Sequence, residues 1–291
     1  MSASRIFHVN SNCRDLARSI LFYRDILGFT ATSHPVPERP QNGAALGLDE
    51  VLWDGWILQG DLGFGGLSLD LLEWKVPLPG ANPPRSVHEP GFHRLCFSVQ
   101  DLNATLAAAR AAGCIVLCEP TQGVDDDGMV AVRAIVADPD GVPVELCGGA
   151  DRRISHVVVN CRDLDRSIDY YRDVLGLTHA TTRPATPSML TYGLDGVAIT
   201  RSARFIDRGS EFAIELVEFT KPTMPPVRHR QANDIGLFGW PGQPTIASLM
   251  KCSCARPDRS RSRAPANCRS AITFRYSSYF SGLDPTGSVW N

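Results

Sequence analysis

Arg5-Ile-Phe-His-Val-Asn-Ser-Asn-Cys-Arg-Asp-Leu16 returns further on as Arg153-Ile-Ser-His-Val-Val-Val-Asn-Cys-Arg-Asp-Leu164, and this repetition decides the fold. The match runs on without a gap, Arg18-Ser-Ile-Leu-Phe-Tyr-Arg-Asp-Ile-Leu-Gly28 against Arg166-Ser-Ile-Asp-Tyr-Tyr-Arg-Asp-Val-Leu-Gly176. Agreement of this length marks two duplicated domains rather than a shared composition. Each copy opens on an alternating strand. A helix follows, with Leu16, Ile20, Tyr23 and Leu27 at helical spacing, Asp15 suited to its start and Gly28 to its end.

Working outward, Gly66-Leu-Ser-Leu-Asp-Leu-Leu-Glu-Trp74 reads as a buried strand matched by Phe212-Ala-Ile-Glu-Leu-Val-Glu-Phe219, which aligns Asp70 with Glu215. A weaker echo lies inside the first copy. Phe92 to Val99 is again a strand, Asp101 to Ala112 an amphipathic helix closed by Gly113, and two strands flank the turn Asp138-Pro-Asp-Gly141. The expectation is an α+β fold of paired βαβββ modules forming a cup-shaped mixed sheet, in two tandem copies of which the second is incomplete or degenerate. Residues 1–150 form the first domain, with modules at 5–75 and 92–147. Residues 151–240 hold one module and the start of another, and 241–291 are a degenerate or disordered tail.

The tail reads Lys251-Cys-Ser-Cys-Ala-Arg-Pro-Asp-Arg-Ser-Arg-Ser-Arg-Ala-Pro265, a basic run without aromatic or helical pattern. Asp284-Pro-Thr-Gly287 repeats the earlier turn, as the remnant of a fourth module degraded by a reading-frame error would.

With 43% hydrophobic and 21% charged residues and a net charge of -2, the 291-residue chain can build sizeable cores and has no global reason to bind nucleic acid or an anionic membrane. A small molecule is the expected partner. No long apolar stretch or secretory pattern stands out, so a cytoplasmic protein is expected. The nine cysteines are odd in number and mostly lie in apolar runs, which fits reduced structural thiols, and Cys114 and Cys118 lack a second pair at zinc-site spacing. His34, His88, His179 and His229 stand in loop-like contexts; Trp53, Trp56, Phe64 and Trp74 could wall a cup or simply be core.

These residues resemble the vicinal-oxygen-chelate superfamily, which includes glyoxalase I, bleomycin resistance proteins and extradiol dioxygenases. The marks are His8, the Asp15 to Gly28 helix, His93, and Asp138-Pro-Asp-Gly followed by Val144-Glu145-Leu146. The resemblance implies metal ligands on the first and last strands of each module, placing His8, Asp70, His93 and Glu145 at the four positions of the first copy. It implies one divalent ion, Fe, Mn, Ni or Zn, and allows a homodimer. Two imidazoles and a carboxylate with open positions suit non-haem Fe(II); a fourth ligand at Asp70 suits an ion that polarises a carbonyl. Glu145 is the expected general base.

In the second copy His156 and Glu215 persist, but Phe238 and Asn291 fall where His93 and Glu145 would recur. Chemistry is therefore expected in the first half. Three functions compete: a glyoxalase-type isomerase or lyase acting on a small molecule with vicinal oxygens, an Fe(II) extradiol dioxygenase, and a metal-free protein that sequesters drugs.

Overall fold

In the computed structural model of the chain, residues 5–124, 130–207, 212–228, 230–237 and 249–252 are described. The repeated opening segment forms strand β1 (Arg5–Cys13) and helix α1 (Leu16–Leu21) in the first module, and β10 (Arg153–Asn160) and α3 (Leu164–Asp169) in the third. Asp15 and Asp163 cap their helices, their carboxylates accepting from the amides of Arg18 and Arg166 at 2.9 Å. Both helices widen into a π turn, Phe22–Ile26 and Tyr170–Val174. Each stops where Gly28 and Gly176 take positive φ, 77° and 64°, which a side chain would resist.

The first module continues through β2 (Thr30–Ser33), β3 (Gln41–Asn42), β4 (Glu50–Gln59) and β5 (Ser68–Val76). The second comprises β6 (Gly91–Val99), α2 (Leu102–Ala111), β7 (Val116–Val124), β8 (Val130–Ala137) and β9 (Pro143–Gly148). The third adds β11 (Thr178–Pro187), β12 (Ile199–Ile206) and β13 (Ala213–Lys221). Three βαβββ modules are thus present as expected. Two short strands, β14 (Gly236–Leu237) and β15 (Leu249–Cys252), pair antiparallel with β1. The degenerate fourth module expected over 241–291 otherwise lies outside the described residues.

The sheets do not follow the halves of the sequence. Modules two and three share one eight-stranded sheet, ordered β11-β12-β13-β10-β6-β9-β8-β7, whereas module one forms a separate sheet, β14-β1-β5-β4-β2. The junction is the antiparallel pair β6–β10, which sets Cys96 opposite His156. His8 and Asp70 therefore lie on a different sheet from His93 and Glu145. The exchange has visible anchors. Asn160 donates to the carbonyls of Val87 and Glu89 at 2.8 and 2.7 Å, holding the connector that leaves module one. Its repeat partner Asn12 donates to Ala232 and Asp234 at 2.7 and 2.8 Å, holding the connector that leaves module three.

The main core lies between the sheets and their helices, joining Phe22, Tyr23, Leu69 and Leu71 with Phe97, Leu106, Leu146, Val157 and Leu164. The Asp138 turn ties module two to module one: Tyr23 Oη donates to Asp138 Oδ2 at 2.9 Å, and Asp140 receives Arg18 and Ser19 at 2.8 and 3.0 Å. Polar residues accumulate on the opposite face of each sheet, where the candidate sites are.

Candidate functional site

Strand alternation puts Leu95, Phe97, Val144, Leu146, Val157 and Val159 into the core, so the residues between them turn the other way. Three of these are lateral neighbours on adjacent strands, Glu145 on β9, Cys96 on β6 and His156 on β10. Their donor atoms lie within 4.8 Å of one another, the one such group among the described residues that could hold a metal ion. Glu215 on β13 joins them, its Oε2 lying 3.3 Å from His156 Nε2.

Two guanidiniums close the cluster. Arg94 Nε donates to Glu145 Oε2 at 2.7 Å and Arg133 NH1 donates to Oε1 at 3.1 Å, with Arg133 NH1 also 3.9 Å from Glu215. Glu145 is fully buried and Arg94 nearly so. Burial would raise the Glu145 pKa, but Arg94 and Arg133 outweigh it and hold the carboxyl below its ordinary range. Burial likewise opposes charge on His156, yet the adjacent Glu215 carboxylate prevails and raises its pKa. Glu215 is lowered in turn: burial works to raise it, and His156 overrides burial. Although close, His156 Nε2 and Glu215 Oε2 are not aligned as a hydrogen bond and both remain buried without one.

Residues 188–194 run across this face and keep water from it. Cys118 Sγ donates to the Met189 carbonyl at 3.8 Å and Val87 N to the Tyr192 carbonyl at 3.1 Å. The Met189 side chain lies directly over Gly123, where a Cβ would fall 2.0 Å from its terminal methyl.

His93 sits beside the cluster but is committed elsewhere. Its Nε2 is 2.9 Å from the Ser86 carbonyl, to which the protonated nitrogen donates, and 3.1 Å from the Tyr192 hydroxyl. Nδ1 faces Arg94 NH1 at 3.4 Å. Burial, then Arg94, lowers its pKa to about 3, so the ring is neutral and steadies the guanidinium. The backbone explains the placement: Arg94 faces Val158 and Phe92 faces Val159, leaving His93 as the extra residue of a β-bulge.

The capping aspartates provide a ruler that residue type alone does not. His8, His156 and Arg94 each stand seven positions before the helix cap that follows, at Asp15, Asp163 and Asp101. Arg94 is therefore the module-two equivalent of the two histidines. Counting back from Asp101 finds it in the sequence; searching for a histidine finds its neighbour.

On the other sheet, β1 and β5 run parallel with Asn10 opposite Asp70 and His8 opposite Ser68. Burial lowers the His8 pKa to about 4 and raises that of Asp70 to about 7. Asp70 Oδ1 is buried without a hydrogen bond. Phe238 and Asn291, which would complete this face in the repeat, lie outside the described residues, as does His229. Of the remaining histidines, His34 and His179 are exposed and His88 is half-buried. Trp74 packs with Trp53 against Leu72 and Ala232, while Phe64 is exposed. Cys13, Cys96, Cys114, Cys118, Cys147 and Cys161 are free thiols.

The chain has relatives among known proteins. A family model for the Glyoxalase/Bleomycin resistance protein/Dioxygenase superfamily matches residues 5–146 and 153–239, and the chain belongs to that superfamily. Among curated relatives, a putative lactoylglutathione lyase of Brassica oleracea var. gemmifera is 28% identical over 197 residues, covering 67% of this chain and 62% of the relative. An Arabidopsis thaliana lactoylglutathione lyase is 28% identical over 176 residues, 60% of this chain and 55% of its own. The chain thus spans less than two thirds of the length of either. Glyoxalase I from Zea mays shares the fold with a TM-score of 0.52 at 18% identity, over 81% of this chain and 72% of that one. No helix among the described residues is long and apolar enough to cross a membrane.

A divalent ion suits the cluster by donor type and not by charge. Cys96, Glu145, His156 and Glu215 offer S, N and O ligands. The two carboxylates are, however, already matched by Arg94 and Arg133. An ion added here would bring two uncompensated positive charges into a buried site, a cost that pairing normally has to offset. As folded, the residues do not fit a resident divalent metal.

Proposed function

We propose that this cluster is the substrate site of a glyoxalase-type isomerase or lyase acting on a small molecule with adjacent oxygens. The observation that carries the reading is Glu145, fully buried and held between two guanidiniums at the module junction. The kinship with lactoylglutathione lyases supports a thiol-derived 2-hydroxycarbonyl compound as the substrate class.

The chemistry follows from the exchange of partners. Substrate oxygens take up the donors of Arg94 and Arg133, and Glu145, losing them inside a buried site, becomes a stronger base. It accepts a proton from the carbon that carries the hydroxyl. The electron pair moves to the neighbouring carbonyl oxygen, where the two guanidiniums stabilise the negative charge. Glu145 then returns the proton to the adjacent carbon while the hydroxyl proton passes to the neighbouring oxygen, so the first carbon becomes the thioester carbonyl, the second carries the hydroxyl, and no oxidant or reductant is needed. Residues 188–194 exclude water while this happens.

The test is the interconversion of S-lactoylglutathione and the hemithioacetal formed by glutathione and a 2-oxoaldehyde. Turnover by the full chain, lowered about 100-fold or more in Glu145→Gln, is the expected result. Equal turnover in that variant, or none by the wild type, overturns the reading. Binding of hemithioacetal without turnover would favour the sequestering function instead, to which the guanidinium pair is equally suited.

A further inference from the structure

We propose that the junction cluster is an oxyanion site in which Arg94 stands as a fixed cation in place of a metal, and that Arg94→His alone converts it into a divalent-metal site. The inference deepens the reading of this cluster as the substrate site but does not depend on turnover.

Three observations carry it. First, Arg94 occupies the strand position that His8 and His156 occupy in the other described modules, seven residues before the helix-capping aspartate. Its side chain therefore points where an imidazole would, and its Nε lies 2.7 Å from Glu145. Second, the guanidinium is itself built in. Arg94 is 5% exposed, its NH1 is met by His93 Nδ1 at 3.4 Å, and His93 is fixed in turn by the Ser86 carbonyl. Third, His156 Nε2 and Glu215 Oε2 are buried, 3.3 Å apart, and without a hydrogen bond, so the donor set beyond Arg94 is only partly used.

With Arg94 present, two guanidiniums already match the two carboxylates and the His156 imidazole adds to the positive side, so a further dication enters with no anion left to compensate it. An oxyanion meets the opposite condition, because the planar donors of Arg94 and Arg133 suit a bidentate carboxylate or enolate. Exchanging Arg94 for histidine removes one positive charge and supplies a neutral nitrogen beside Glu145, His156 and Glu215. Two imidazoles and two carboxylates then face one another, a donor set of the kind borderline divalent ions take.

The experiment uses the full chain, stripped of metal and titrated with Co(II) by calorimetry and visible absorption, and separately with oxalate by thermal shift. The wild type is expected to bind oxalate with a rise in Tm and to show no stoichiometric Co(II) site. Arg94→His should lose the oxalate shift and bind one Co(II) at least about 100-fold more tightly than wild type, with the d–d bands of an enclosed ion. His156→Ala added to that variant should abolish the bands.

One equivalent of Co(II) held by the wild type as tightly as by the variant overturns the proposal, and that measurement stands even if Arg94→His fails to fold. A wild type indifferent to oxalate, or an oxalate shift unchanged in Arg94→Gln, overturns it too. Gain of the metal site with no hemithioacetal turnover in any form would sink the enzymatic reading and leave this inference standing.

Discussion

The two sheets bury acid on their helix-free faces in opposite ways. On the eight-stranded sheet Glu145 is fully buried between Arg94 and Arg133, and Glu215 lies beside His156 and Arg133. On the sheet of module one, Asp70 occupies the position that aligns with Glu215, yet it makes no ion pair among the described residues and its pKa is raised by burial to about 7. Equivalent places in duplicated modules have thus diverged in how charge is held. A carboxylate kept ionised by neighbouring cations is ready for an anionic substrate to exchange with it, whereas a buried carboxyl without a cation tends to take up a proton.

The largest expected difference comes from removing the acids. Glu145→Ala leaves two guanidiniums facing a buried void, so a loss of about 3–5 kcal/mol in unfolding free energy is expected, measured by denaturant titration at neutral pH. The corresponding Asp70→Ala removes an acid without a cation and should cost far less. Equal losses from the two would erase the contrast between the sheets.

That contrast was only partly legible in the sequence. The modules could be read because the repeat is gapless and each helix is bracketed by a capping aspartate and a glycine, both local signals. Glu145 and Asp70 followed from the resemblance. The pairing of β6 with β10 was not legible, since it joins segments from different halves and no local pattern encodes it. Hence the sequence groups His8 and Asp70 with His93 and Glu145, although the strands place them on separate sheets. Arg94 was passed over because a histidine stood beside it, and the bulge at His93 that sets the phase of β6 depends on its register with Val158 and Val159. The repeated Asn12 and Asn160 were visible, but not what they hold.

Those two asparagines sharpen the comparison at a smaller scale. Asn12 donates twice to the connector at Ala232 and Asp234, and its Oδ1 also accepts from Trp74 Nε1 at 2.9 Å. Asn160 makes the two equivalent donations but its Oδ1 is buried without a partner. Asn12→Ala should therefore cost more than Asn160→Ala, by about 1 kcal/mol for the additional bond and the stranded indole. The more telling difference is in hydrogen exchange. Asn160→Ala should loosen residues 87–89, which lead into the junction cluster, whereas Asn12→Ala should loosen residues 232–234. Loosening of the same segment by both substitutions would contradict the exchanged connectors.

A further contrast between the sheets concerns pH. The folded-state pKa of Asp70 is raised to about 7, above the value near 3.9 of an unfolded aspartate, so between these limits the folded state binds more protons than the unfolded state. Its contribution to stability is then fully present below about pH 4 and is lost as pH rises through about 7. Asp70→Asn keeps the shape and removes the proton, so the variant should lack this fall and exceed the wild type in Tm at pH 8, while the difference shrinks towards pH 4. Glu145 and Glu215 act with the opposite sign. Their folded pKa values are depressed, so their stabilisation is present above the ordinary carboxylate range and is lost as pH falls below it. A wild type whose stability climbs steadily from pH 4 to pH 8 despite Asp70, with Asp70→Asn tracking it throughout, would show that the module-one acid is neutralised by a partner, and the two sheets would no longer differ in kind.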